Sequence, residues 1–164
     1  LTAWESRQFP TPSGKFELRS SAAAAAGFPD LPVYVPPVPA PPDFPIRLLT
    51  PHPPDSLHSQ FHSQKLVLRV SARPVLEMHP DLAGRIGLAD GDMVRVYNTR
   101  GELHLPIRLT RTVQPDTVVA YEGAYADQPY NVNLLTGPAP PGVPFPGTPF
   151  GDSFVAVEPS PRGG

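Results

Sequence analysis

The chain of 164 residues contains no cysteine. Within these residues that excludes a disulfide framework, a zinc–thiolate site, an iron–sulfur cluster and a cysteine nucleophile. It does not decide between cytoplasm and periplasm, since both hold cysteine-free domains. Charge is also scarce: Asp, Glu, Lys and Arg make up 17% of the chain, and the net charge is −2. Such a chain has no field to attract nucleic acid or an anionic membrane surface. No basic run or arginine–aromatic patch supplies one locally, so nucleic-acid binding is not expected. No apolar run reaches the roughly 18 residues of a transmembrane helix, so no membrane insertion is expected either. No secretory leader opens the chain, and Leu1 is not an initiator residue, so a further N-terminal part is expected upstream.

What the chain has in excess is proline, 26 residues of it, beside an apolar fraction of 40%. Proline at that density shortens helices and interrupts strand ladders, so short strands and many turns are expected. Residues 9–20 read as a turn around Gly14 followed by a strand-like alternation, with Phe16 and Leu18 on one face. Ala22–Ala26 is a helical turn too short to hold alone. Prolines 29, 32, 36, 37, 39, 41, 42 and 45 mark a polyproline-like linker or strap over 29–45. That divides the chain into an arm (1–28), the linker, a compact domain (46–159) and a short tail (160–164).

Inside the compact domain, Ile46–Thr50 reads as a buried strand running into the rigid loop Pro51-His52-Pro53-Pro54-Asp55. Val75–Met78 is a short strand. A short helix follows, with Pro80 at its first position, Asp81 near its N-terminus and Gly87 at its end. Asp90-Gly91-Asp92 turns into the strand Met93–Asn98. Residues 99–102 reverse it, and Leu103–Leu109 returns with alternating apolar residues. Pro106 in that return strand predicts an edge or a bulge. Thr117–Tyr121 and Phe154–Val157 complete the set, separated by a Gly- and Pro-rich loop over 136–151. Five or six short strands and one or two short helices in a chain this size point to a small closed β-barrel.

The chemistry-bearing feature is the histidine-rich loop: His52, His58 and His62 beside Asp55, Ser59 and Gln60. His58 and His62 have the i, i+4 spacing that shares a metal on a helix, but no His-Glu-x-x-His motif surrounds them, so no metal ligand is assigned. Ser59, His62 and Asp55 include the residue types of a triad, without a nucleophile elbow to present the serine. Two readings stay open on the residues alone. In one the loop is an ordinary solvated loop. In the other its hydroxyl, amide and imidazole donors hold a polar ligand presented by a rigid scaffold. Asp90 and Asp92 read as turn chemistry.

The order of segments resembles the C-terminal region of the dimethyl sulfoxide reductase family of molybdopterin oxidoreductases. The likeness is carried by Phe-Pro-Thr-Pro-Ser-Gly-Lys-Phe-Glu (9–17), Leu-Leu-Thr-Pro-His with Leu-His-Ser-Gln (48–60), the Glu-Met-His-Pro-Asp to Asn-Thr-Arg-Gly block (77–101), and Asn-Val-Asn-Leu-Leu-Thr (131–136). The resemblance implies a double-psi β-barrel closing over the nucleotide tails of the molybdenum cofactor, usually two molybdopterin guanine dinucleotides with molybdenum or tungsten. It implies cofactor contacts from Thr50, His52, His58, Ser59, Gln60, Asn133 and Asp152, and a building role for the 79–101 block. It also implies upstream domains of the same polypeptide that supply the metal-ligating side chain, the substrate funnel and a 4Fe-4S cluster where one exists, with electron-transfer subunits as partners. No catalytic residue is expected here, and the fragment should be inactive alone. The alternative is a stand-alone double-psi barrel acting as a binding or interaction module. The cofactor reading requires the loops at 50–60 and 131–136 to lie at one end of the barrel.

Overall fold

The computed structural model describes residues 4–34, 36–54, 57–60, 64, 74–124, 128–137 and 151–160. The chain divides into two compact units, Leu1–Pro37 and Val38–Gly164. Of the features singled out in the sequence, Asp55, His62 and most of the 136–151 loop lie outside the described residues.

Among its described residues the first unit carries one helix, α1 (Ser21–Ala25), opened by the Ser20 side chain accepting from the Ala23 N–H. The strand expected over 9–20 is absent. Its backbone is spent on turns instead: Phe9 N–H donates to Gly14 O, and Gly14 N–H to Thr11 O. Side chains take further local groups, with Thr11 Oγ1 on Lys15 O and Glu17 on the Ser13 N–H. Gly14 has the positive φ the turn needs, 67°. Phe16 and Leu18, instead of sharing a buried face, are both exposed. Trp4 stacks on Phe9 at 5.1 Å, and Phe9 meets Phe16 edge-on at 5.9 Å.

The second unit is a closed six-stranded barrel. Its strands are β1 (Ile46–Leu49), β2 (Leu76–Met78), β3 (Met93–Asn98), β4 (Gly101–Leu109), β5 (Thr117–Ala120) and β6 (Ser153–Pro159). Around the barrel they run β1-β5-β2-β4-β3-β6. Pairs β1–β5 and β2–β4 are parallel and all others antiparallel, the interlock of a double-psi barrel. The alternation Leu103, Leu105, Ile107 faces inward, where it meets Leu48, Leu76, Met78, Val94, Val96, Val118 and Val155 in a continuous core. Closure removes every strand edge, so Pro106 is neither at an edge nor in a bulge. It sits where β4 changes partner: β4 pairs with β3 as far as Pro106 and with β2 from Ile107 onward. A residue without an N–H is cheapest at such a junction.

Helix α2 (Pro80–Arg85) follows β2 with Pro80 at its start, capped by His79 Nδ1 accepting from the Asp81 N–H at 3.1 Å. Leu82 and Ala83 seat it on the core, and Gly87 leaves it at φ 72°. The Asp90 carboxylate accepts from Leu109 N–H and that of Asp92 from Ala89 N–H, so both are occupied in turn geometry.

Glu77 on β2 is buried, which its strand pattern alone does not announce. Its register partner on β4 is Arg108, whose guanidinium donates to Oε1, and the Tyr121 hydroxyl donates to the same oxygen at 3.1 Å. The carboxylate raises the Arg108 pKa, chiefly through that hydrogen bond. Burial raises the Tyr121 pKa above its ordinary range, assisted by the negative charge of Glu77.

Candidate functional site

Strand directions decide which loops share an end. β1 and β5 run parallel, so the segments after Leu49 and after Ala120 leave the barrel together. β6 runs antiparallel to β1 with Leu48 opposite Ser153, which brings Gly151 and Asp152 to the same end. β3 ends there as well, because Tyr97 pairs with Ala156. The 3-10 turn η1 (Val132–Leu134) is anchored there through Val132 and Leu135, both buried in the core. The loops at 50–60 and 131–136 therefore rise from one end of the barrel. The α2 and Asp90–Asp92 block occupies the other end.

Asn98, the last residue of β3, ties this end together. Its Nδ2 donates to Leu135 O at 2.8 Å and to Phe154 O at 3.1 Å, and its Oδ1 accepts from the Arg100 N–H at 2.9 Å. One side chain thus joins η1, the start of β6 and the β3–β4 hairpin. Gly101 completes the seat: a Cβ there would lie 3.0 Å from Leu134 O. The Arg100 guanidinium crowds Gly137, where an added Cβ would stand 2.7 Å from Nη2.

Thr50 is buried at the mouth of β1. His52, His58, Ser59 and Gln60 are exposed on the segment that follows, whose last residues form a turn closed by Gln60 N–H donating to Leu57 O at 2.8 Å. His58 holds a left-handed φ of 51° inside that turn. Asn133 is exposed on η1, while the side chain of buried Asn131 caps the turn by accepting from the Asn133 N–H at 3.1 Å. Asp152 faces Arg47 with Oδ1 3.6 Å from Nη1. Arg47 also donates to Gly151 O and lies 4.7 Å over the Phe154 ring, so this corner is fixed. All seven residues stand at the same end.

Sequence reasoning did not single out Glu122. Its N–H donates to Pro51 O at 3.1 Å, stitching the segment after β5 to the segment after β1. Its Oε1 lies 3.0 Å from His52 Nδ1 and 2.7 Å from His58 Nδ1. The only signal that finds it is the parallel pairing of β1 with β5, which periodicity does not reveal. Asn98 and Arg100 were missed for a related reason: their residue types are those of an ordinary hairpin turn.

Residues 46–153 match the model of the family described as the molydopterin dinucleotide binding domain. The chain belongs to that family. Two curated relatives bear the match out in longer proteins. One is a probable oxidoreductase, YoaE, of Bacillus subtilis (strain 168), 32% identical over 133 residues that cover 81% of this chain and 19% of the relative. The other is the trimethylamine-N-oxide reductase of Haemophilus influenzae (strain ATCC 51907 / DSM 11121 / KW20 / Rd), 33% identical over 129 residues, 73% of this chain and 16% of the relative. The chain thus spans under a fifth of the length of either. The fold matches a segment of acetylene hydratase from Pelobacter acetylenicus with a TM-score of 0.78 over 97% of this chain and 25% of that one, at 21% identity. Membership favours a molybdopterin dinucleotide binding domain over an unrelated interaction module built on the same barrel.

The residues at this end suit such a ligand. Imidazole and hydroxyl groups donate to phosphate oxygens, and the Gln60 and Asn133 amides offer both a donor and an acceptor to a heterocycle edge. The barrel is the scaffold from which these segments rise, the usual placement of binding residues on loops.

Proposed function

We propose that this end of the barrel holds the nucleotide part of a molybdopterin guanine dinucleotide, and that the chain serves as the C-terminal domain of a molybdenum or tungsten oxidoreductase. The observation that supports this most is the convergence, at one barrel end, of the segment after β1, the η1 turn and the start of β6. Thr50, His52, His58, Ser59, Gln60, Asn133 and Asp152 are the proposed contacts. Thr50, His58 and Ser59 would serve the pterin–diphosphate portion by donating from hydroxyl and ring N–H groups, with His52 beside them. Gln60 and Asn133 would orient the heterocycle edges. Asp152 would act beside its Arg47 partner. When bound, the cofactor supplies the redox-active metal. The residues of this chain bind it, orient it and keep water from its phosphates. They include no catalytic residue, so the chain is inactive alone. Upstream domains of the same polypeptide would provide the metal ligand, the substrate funnel and any 4Fe-4S cluster, and electron-transfer subunits would be the external partners.

The test is cofactor loading of the full polypeptide that carries this chain. Oxidative release should yield a fluorescent pterin joined to GMP, together with bound molybdenum or tungsten. His52→Ala, Ser59→Ala and Asn133→Ala should each reduce the yield while leaving the melting temperature of the apo-protein unchanged. A purified protein with no pterin, or with loading indifferent to all three substitutions, would refute the reading.

A further inference from the structure

We infer that His52, His58 and Glu122 form a binding site for a divalent transition-metal ion of the zinc class, separate from any metal carried by the pterin. Among the described residues these three place one ligand atom each within 4.8 Å of one another. The two imidazoles are 4.2 Å apart between centroids and tilted by 56°, with both Nδ1 atoms directed at a single carboxylate oxygen. Two histidine nitrogens and one carboxylate oxygen are the ligand types of borderline ions, and calcium or magnesium would instead call for an all-oxygen set.

The two nitrogen–oxygen separations come close to those of a bound ion. Ligands about 2.0–2.1 Å from a tetrahedral ion stand about 3.3 Å from each other. The nitrogen–oxygen separations here are 3.0 and 2.7 Å, so seating an ion asks each contact to open by a few tenths of an ångström. Little has to be ordered for that to happen. Glu122 is pinned by its N–H bond to Pro51 O, and His52 lies between Pro51 and Pro53. His58 sits in the closed Leu57–Gln60 turn. In this chain the histidine side chains are 54% and 62% exposed and that of Glu122 17%, so an ion would be held against the barrel on the Glu122 side with one position left open. Three protein ligands and one exchangeable position is the arrangement of an open zinc site, able to take water or a phosphate oxygen.

Two other described histidines are engaged elsewhere. His79 Nδ1 caps α2, and His104 Nδ1 lies 2.8 Å from Ser160 Oγ. His52 and His58 are also proposed contacts of the dinucleotide and Glu122 is not, so Glu122→Gln is the substitution that separates the two readings.

The experiment uses the chelator-stripped 164-residue chain titrated with ZnCl2 by calorimetry, and with Co2+ followed by visible absorbance. One equivalent of Zn2+ should bind. Glu122→Gln, His52→Gln and His58→Gln should each weaken it by at least about tenfold, no less than the loss on removing an outer-shell partner. His104→Ala should leave it unchanged. Co2+ should develop the intense bands of a four-coordinate site, lost in Glu122→Gln. Equal melting temperatures of the metal-free variants establish that the fold is intact. Absence of one-equivalent binding, or binding that survives all three ligand substitutions, overturns the proposal. Pterin loading is read separately, so either conclusion can fail without the other.

Discussion

Replacing Asn98 by alanine removes the side chain that joins three segments at the cofactor end. The orientation of its amide is set by its partners: two carbonyl oxygens require the NH2 group, and the Arg100 N–H requires Oδ1. The Arg100 N–H is exposed and water can replace its bond, which leaves two part-buried bonds to Leu135 O and Phe154 O. At a net value of about 1 kcal/mol each, Asn98→Ala should cost about 2 kcal/mol. For a domain of this size that lowers the melting temperature by about 8 °C. Asn98→Asp should cost more, since it sets a carboxylate against two carbonyl oxygens. The effect should also be local. Amide exchange at Leu134 and Leu135, whose N–H groups bond within η1, should accelerate well beyond that of β2 and β4 in the same variant. Urea titration gives the stability and hydrogen exchange gives the location. A cost below about 0.5 kcal/mol, or an aspartate tolerated as well as asparagine, would refute the reasoning.

Among the described residues, Arg108→Met leaves the buried Glu77 carboxylate with only the Tyr121 hydroxyl. It should cost about 1–3 kcal/mol by chemical denaturation, because Arg108 is half exposed and water replaces part of what is lost. Adding Glu77→Gln should recover part of that loss. The raised pKa of Tyr121 means that the folded chain keeps a proton the unfolded chain has already released above about pH 10. Its contribution is therefore complete below that pH and is lost as pH rises toward the folded value. Tyr121→Phe should flatten this alkaline decline in urea midpoints. Gly101→Ala forces a Cβ to 3.0 Å from Leu134 O and should destabilise by about 1–3 kcal/mol while loosening η1. An unchanged melting temperature would show that the seat is not tight.

The barrel strands were legible where one face is core and the other solvent, as in β4, whose burial alternates from Leu103 to Arg108. β5 is buried at all four positions and carries no alternation, so periodicity alone does not mark it. Strand order was not legible, because periodicity says which face is apolar and nothing about which strand lies alongside. The same blindness hid Glu122 and Asn98, whose roles depend on the β1–β5 and β3–β6 pairings. Phe16 and Leu18 show the opposite error: an alternating pair in a segment whose backbone groups are already consumed by turns. The histidine loop stood out by composition. Its ligand became readable only through the family likeness, because imidazoles, hydroxyls and amides suit many polar ligands.

The proposed binding of the nucleotide at one end of the barrel has a spatial consequence. It is tested most directly by titrating the isotopically labelled chain with GDP and following backbone amide shifts. Saturable changes confined to 50–60, 121–124, 131–137 and 151–153, with none at 79–92 or 110–116, are the predicted result. Saturable changes at the α2 end, or none at the histidine loop and η1, would contradict it.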